Sequence, residues 1–507
     1  MKIERSFNID PEKRAKFNNK VDFCVGTGRM GLALQREYFE QLKLAQRYIG
    51  FKHIRGHGLF HDDMAIYQER RDNPWDKESP LHIEHNFTYL DFVMDSYREL
   101  GIKPFLELGF MPEKLASSGN RVFVWGGHTC PPRDYKLWRE LVQATLRHLI
   151  ERYGADEAVT YPVEVWNEPN LPGFWEKADM QAYFKLFDET FEAVKQVDSR
   201  FKVGGPAVCG GSDELWISKF MEHCEEKGIA LDFVTRHHYT TEQPDRKGHY
   251  VYQRLMDPEA GFANLATTRE IIDSHPRYKG LPIHITEFNT SYSPDNPIHD
   301  TNQNAAFLCH QLSRLGDINE SYSYWTFGDI FEENGVPFAP FHGGFGLVAN
   351  GCIPKPTFWS FAFFKALLGG DCVLKTDEAI VMKQGEKYKG VIWNSNLRRE
   401  GRQLSIKLNI PAEGELCLIR KTVDEKTCNP LALWHNMGEP RSLSNEQKEL
   451  LRAAAYPFIS SERLIASGEL TLEFNIAEFG VEYFELSPAP LTPDRGYDYD
   501  RVFRAEG

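Results

Sequence analysis

The chain lacks the features that would send it to a membrane, a nucleic acid or an oxidising compartment. No apolar run approaches the roughly 20 residues needed to span a bilayer, and the opening MKIERSFNIDPEKRAKF has no apolar segment of the kind a secretory signal requires. Cytoplasmic residence is the expectation. Basic residues are in deficit, with 59 Lys and Arg against 73 Asp and Glu and a formal charge of −14. Nucleic acid and anionic membrane both need a basic face, so neither is an expected partner. The nine cysteines, an odd number without a CxxC pair, suit reduced thiols better than a disulfide framework or a zinc site. HExxH, GxSxG and GxxxxGK[ST] are all missing, which removes the helix-borne zinc pair, the elbow serine and the phosphate loop. No metal and no cofactor is expected.

What is present is length and aromatic content. At 507 residues the chain exceeds one ordinary core, and its 13 % aromatics serve packing first and sugar-stacking platforms second. Near the start, VDFCVGTGRMGLALQ carries Gly26-x-Gly28-x-x-Gly31 between an apolar run and a helical pattern. That spacing raises dinucleotide binding, which also asks for an acidic residue at the end of the next strand. The next strand, FKHIRGHGLF, offers His53, Arg55 and His57 instead. The glycines are therefore read as a tight strand-to-helix loop.

Short β-rich runs recur along the chain: VDFCVGTG, HIRGHGLF, KPFLELGF, YPVEVWNEPN, KVGGPAV, DFVTRHHYTT, PIHITEFNTSY and YSYWTFGDIF. Amphipathic stretches long enough to return the chain to a parallel neighbour lie between them. The pattern predicts an α/β fold, a (β/α)8 TIM barrel over residues 16–350, with a doubly wound sheet as the alternative. Beyond it, runs such as EAIVMKQGEKYKGVIWN, RQLSIKLNIP, LCLIRKTVD and GELTLEFNIAEFGVEYFEL alternate as antiparallel strands do. They predict a β-sandwich over residues 351–507, interrupted by a helical insert at SNEQKELLRAAAYPF and ending in a polar tail. Residues 1–15 are expected to add a strand to it.

In such a barrel the chemistry gathers at the C-terminal ends of the strands. The fourth run ends in Trp166-Asn167-Glu168-Pro169-Asn170 and the seventh in Thr286-Glu287-Phe288-Asn289. A lone glutamate is usually a surface or salt-bridging residue. Two that each close an apolar strand, on opposite sides of one mouth, fit a glycosidase pair, about 5–5.5 Å apart if the enzyme is retaining. Asn167 can donate to a sugar 2-hydroxyl. His57, Arg236, His237, Tyr239 and Trp325 end other strands, with Asp329 and Glu332-Glu333 just beyond, and together suggest a polyhydroxyl site. The competing use is a metallohydrolase with His57, His237 and Glu287 as ligands.

The segments FCVGTGRMGLALQ, IRGHGLF, VEVWNEPN, VGGPAVCGGSDELW (where Leu215 interrupts the run), LPIHITEFNTSYSPDNPIHDT, SYWTFGDIFEE and FHGGFGLV resemble glycoside hydrolase family 39 in order, from about Phe23 to Phe364. The likeness is strongest to the bacterial β-xylosidases of that family, which also contains α-L-iduronidases. It implies a retaining enzyme with Glu168 as acid/base and Glu287 as nucleophile. It further implies that His57, Asn167, His237, Tyr239, Trp325 and Glu333 contact or orient the sugar, with Tyr239 hydrogen-bonded to the nucleophile. A small oligosaccharide as substrate and a homo-oligomer, a tetramer among its forms, complete the expectation. A catalytically silent carbohydrate-binding scaffold is the reading from a different class.

Overall fold

The computed structural model describes residues 2–490 together with 501 and 503; the course expected for the polar tail otherwise lies outside the described residues. Eight strands, Cys24–Thr27, His53–Gly56, Lys103–Leu108, Val163–Val165, Val203–Val208, Phe233–Tyr239, Ile283–Asn289 and Ser321–Tyr324, close a barrel in chain order. Every pairing in the ring is parallel. The doubly wound alternative is thereby excluded.

The returning helices start where the sequence offers caps. Asp134, Asp179, Asp257 and Thr301 each accept a hydrogen bond from a first-turn amide, at the heads of Tyr135–Tyr153, Met180–Val197, Pro258–Asp273 and Asn302–Ile318. Such caps satisfy amides that the helix itself cannot. Most of these helices bury one face against the barrel. Asn302–Ile318 is buried almost all round, because the second domain covers the side that would otherwise meet water. Asn302 and Gln303 donate side-chain hydrogen bonds to backbone carbonyls of that domain, at Cys428 and Asn396.

The second domain is one seven-stranded sheet that curls on itself. Two long strands, Gln403–Val423 and Phe458–Ile476, run antiparallel over nearly their whole length. On the other edge of Gln403–Val423, Lys2–Asn8 pairs in parallel up to Asn409, and Val481–Pro488 takes over antiparallel from Leu416. The sequence pattern splits this long strand at Pro411. Pro411 falls in the gap between the two edge partners, where a missing amide hydrogen is tolerated. Leu404, Ile406 and Leu408 from one end of the strand share a core with Val381, Leu418 and Phe484, which closes the curl. The helical insert forms Asn445–Ala453 with a Ser444/Gln447 capping box. Its Leu451 packs with Trp434, Phe341 and Ile353, so the insert backs the loop that follows the eighth barrel strand.

Candidate active site

Alternation along parallel strands decides which side chains enter the barrel mouth. On the sixth strand His237 and Tyr239 point inward, and His237 lies in register beside Glu287 of the seventh. Arg236 was grouped with them on sequence, but its parity is opposite. It turns outward to the Pro258–Asp273 helix and donates to Thr268 Oγ1 at 2.6 Å and Asn264 Oδ1 at 2.6 Å. Asp329 also leaves the mouth and pairs with Lys355 behind it. Glu332 stays on the rim, 2.9 Å from Arg29. His57, Asn167, Glu168, His237, Tyr239, Glu287, Trp325 and Glu333 converge.

The fourth strand ends in a contorted turn: Trp166 and Glu168 both adopt left-handed backbone angles, φ 71° and 45°. Residues with a Cβ reach that region only at a cost. The turn is held by Glu168 N–H donating to Ala207 O at 3.0 Å and Trp166 Nε1 to Phe174 O at 2.7 Å. It aims the Glu168 carboxyl at the neighbouring strands. Glu168 Oε1 lies 2.7 Å from His237 Nδ1. An oxygen of Glu168 and one of Glu287 approach within 4.8 Å, near the retaining separation and short of the roughly 6.5–9.5 Å an inverting pair needs for its water.

Glu287 has a different setting. Arg55 Nη1 donates to its Oε1 at 2.7 Å and the Tyr239 hydroxyl to its Oε2 at 2.7 Å. The guanidinium spends its other donors on Glu164 at 2.5 Å and Asn167 Oδ1 at 2.9 Å, and Glu107 lies 3.0 Å from it. The bond to Arg55 occupies the Asn167 carbonyl, so the NH2 is the end of that amide left to donate. Burial opposes a charge on His57, but Glu107 at 2.7 Å outweighs it and lifts the imidazole to about 9. Burial would raise Glu107 too, yet His57 and Arg55 hold it below the usual carboxylate range.

These cations are matched by Glu107, Glu164 and Glu287, and the other carboxyls feel chiefly burial. Burial pushes Glu168 up to about 7 and Glu333 well above the ordinary range. Glu333 Oε1 stands 3.7 Å from His57 Nε2. Burial also pulls His237 down to about 4, leaving a neutral imidazole beside Glu168. Trp325 forms one wall, its ring 4.7 Å from that of His57. Glu168, His237 and Glu287 are close enough to share a metal ion. Arg55, however, donates directly into that cluster, and a second cation there would meet its repulsion.

The glycine spacing at the first strand is accounted for by protein atoms. A Cβ on Gly26 would collide with the Trp325 ring, one on Gly28 would sit 2.7 Å from Leu32, and one on Gly31 would collide with Asp63. Trp325 can stand in the mouth because Gly26 has no side chain. The cradle is filled from within.

The sequence profile of Glycosyl hydrolases family 39 matches residues 5–471. The chain belongs to glycosyl hydrolases family 39. It is 46 % identical to a beta-xylosidase of Geobacillus stearothermophilus over 485 residues, covering 94 % of this chain and 95 % of that one. It is 32 % identical to a beta-xylosidase of Caldicellulosiruptor saccharolyticus, covering 93 % and 96 %. The solved monomeric beta-xylosidase of Caulobacter crescentus superposes with a TM-score of 0.86 at 31 % identity, over 96 % of this chain and all of that one. The family 39 assignment makes the chain a retaining glycoside hydrolase.

Sequence reasoning overlooked three charges in this family 39 site: Arg55 as its hub, with Glu107 and Glu164. A signal was available. Parallel barrel strands are buried on both faces and read as apolar runs, so a charge in the middle of HIRG, FLEL and VEV needed a partner of opposite sign inside the barrel.

Proposed function

We propose that the chain is an exo-acting β-D-xylosidase that releases xylose from the non-reducing ends of short xylo-oligosaccharides by double displacement. The observation that carries the mechanism is the contrast between two carboxyls in one mouth: Glu287 held by Arg55 and Tyr239, Glu168 held by a neutral His237. Glu287 attacks the anomeric carbon while Glu168 gives its proton to the glycosidic oxygen. Once Glu287 is esterified its negative charge is gone, and Glu168, now ionised, takes a proton from the incoming water. Asn167 donates to the 2-hydroxyl, Trp325 offers its ring to the sugar, and His57, His237, Tyr239 and Glu333 bind or orient hydroxyls and the glutamates.

The names and high identity of the bacterial relatives support xylose as the glycone. The test is hydrolysis of p-nitrophenyl β-D-xyloside beside the β-glucoside, β-galactoside, α-L-arabinopyranoside and α-L-iduronide. A xyloside preference of about 100-fold, about 2.7 kcal/mol in the transition state, is the expected result. Preference for another sugar removes the xylosidase reading and keeps the glutamate pair, whereas silence on all of them favours a carbohydrate-binding scaffold. Among the described residues no helix is long and apolar enough to cross a membrane, which accords with a cytoplasmic enzyme fed by imported oligosaccharides. Self-association belongs to the same reading and is decided by sedimentation, since the Caulobacter relative is described as monomeric.

A further inference from the structure

Beyond Glu168, the chain passes Pro169 and reaches Asn170, whose side chain bridges to the fifth barrel strand's end. Its Oδ1 accepts from Cys209 N–H at 3.1 Å, while its Nδ2 donates to Cys209 O at 3.3 Å and to Ser212 Oγ at 2.6 Å. A side-chain amide here copies a peptide group and grips both polar groups of one backbone residue. The grip lies across a turn contorted on both sides, with Ala207 at φ 54° facing Glu168 at φ 45°. Glu168 N–H donates to Ala207 O at 3.0 Å, and Ala207 N–H in turn to Thr235 Oγ1 at 2.9 Å. Held this way, the Cys209 side chain is brought within reach of the Glu168 carboxyl.

We propose that Asn170 and Cys209 are positioning residues for the acid/base, Asn170 clamping the two strand ends and the Cys209 thiol donating to Glu168 when it is ionised. The proposal rests on Glu168 being the acid/base. Both residues act through Glu168. A thiol hydrogen favours the carboxylate form of Glu168, which sets where the free enzyme loses its acid and suits the second displacement, in which Glu168 must be a carboxylate to receive the proton of water. His57 and Arg55 favour it too, whereas Glu107 and burial oppose it. His237, Glu287, Tyr239, Glu333 and Glu164 are further titratable groups around the mouth. Cys209, Cys352 and Cys417 are half-buried, while Cys24, Cys130, Cys224, Cys309, Cys372 and Cys428 are buried.

The test compares pH profiles of kcat/KM for wild type, Cys209→Ala and Cys209→Ser on the preferred p-nitrophenyl glycoside. Loss of the donor in Cys209→Ala moves the basic limb up by about 0.3–1 pH unit, the equivalent of one modest hydrogen bond, and the hydroxyl of Cys209→Ser restores it. Methyl methanethiosulfonate, which places a thiomethyl group in the clasp, lowers kcat more than tenfold in wild type, dithiothreitol reverses this, and Cys209→Ala is insensitive. Asn170→Ala lowers kcat on alkyl glycosides about tenfold while KM changes less than twofold. An unmoved limb in Cys209→Ala, or full activity in enzyme whose Cys209 is shown by mass to be labelled, overturns the proposal. The profile of Glu168→Gln on an activated aryl glycoside separates the two readings. Its basic limb disappears if Glu168 is the acid/base, and a limb that survives overturns that assignment and this proposal with it.

Discussion

The two halves of the mouth take the same side chain in opposite directions. On the seventh-strand side Glu287 meets a guanidinium at 2.7 Å and a phenol at 2.7 Å; on the fourth-strand side Glu168 meets an imidazole that burial keeps uncharged. The first setting surrounds its carboxyl with donors, and in the second burial raises the carboxyl and favours its protonated form. Sequence position supplies the pair of glutamates, and on the proposed mechanism the groups behind them divide the labour. That division needs Arg55, a residue with no exposure, to be shared among Glu107, Glu164 and Glu287.

The contrast can be broken most severely on the Glu287 side. Glu287→Ala should lower kcat/KM by about 10^4-fold or more, on the order of 5.5 kcal/mol, and azide should give no rescue with retained configuration; rates and product stereochemistry from NMR check both. Glu168→Ala should cost about 10^2–10^4-fold on xylobiose, the usual contribution of general acid/base catalysis. The same variant should spare the first step on aryl glycosides with good leaving groups, seen as a burst of phenol in stopped flow. Tyr239→Phe removes one hydrogen bond to a charged acceptor and should reduce kcat about 10–100-fold with little change in KM. A further prediction sharpens the comparison in the wild type. With Glu168 raised to about 7, its acid form is lost as pH rises through that value, so kcat/KM should fall about tenfold per unit above it. A pH profile run to pH 9 reads that slope directly.

The barrel was legible because most of its strands are short β-rich runs followed by a stretch with a three- to four-residue apolar period. The placement of the two glutamates in one mouth was legible because each closes such a run. What escaped was set by parity and by distance in the chain. Arg236 and His237 are adjacent in sequence, and only the pleat says that they face opposite sides. Arg55 meets Glu287 across 232 positions, and no local pattern announces that partnership. The long strand Gln403–Val423 read as two because Pro411 is a break signal wherever a strand has partners on both edges. Here the neighbour on one edge ends at Asn409 and the next begins at Leu416.

Behind the mouth, Lys355 stands with no exposure, 2.7 Å from Asp300 and 2.7 Å from Asp329, and donates to Gly344 O at 2.8 Å. Asp329 accepts from Gly346 N–H at 2.7 Å and Asp300 from Gly343 N–H at 2.8 Å. Phe345, in the middle of that glycine loop, packs with Phe331 and Trp325, so the wall offered to the sugar is anchored by a lysine at the threshold of the Pro356–Ala366 helix. This has a consequence for protein engineering and for evolution. A cut directly after the eighth strand would remove the lysine that braces the wall and strip the cover from the Asn302–Ile318 helix. Recombination that exchanges the sheet for another module would have to keep Lys355 with the barrel and bring its own roof for the Asn302–Ile318 helix.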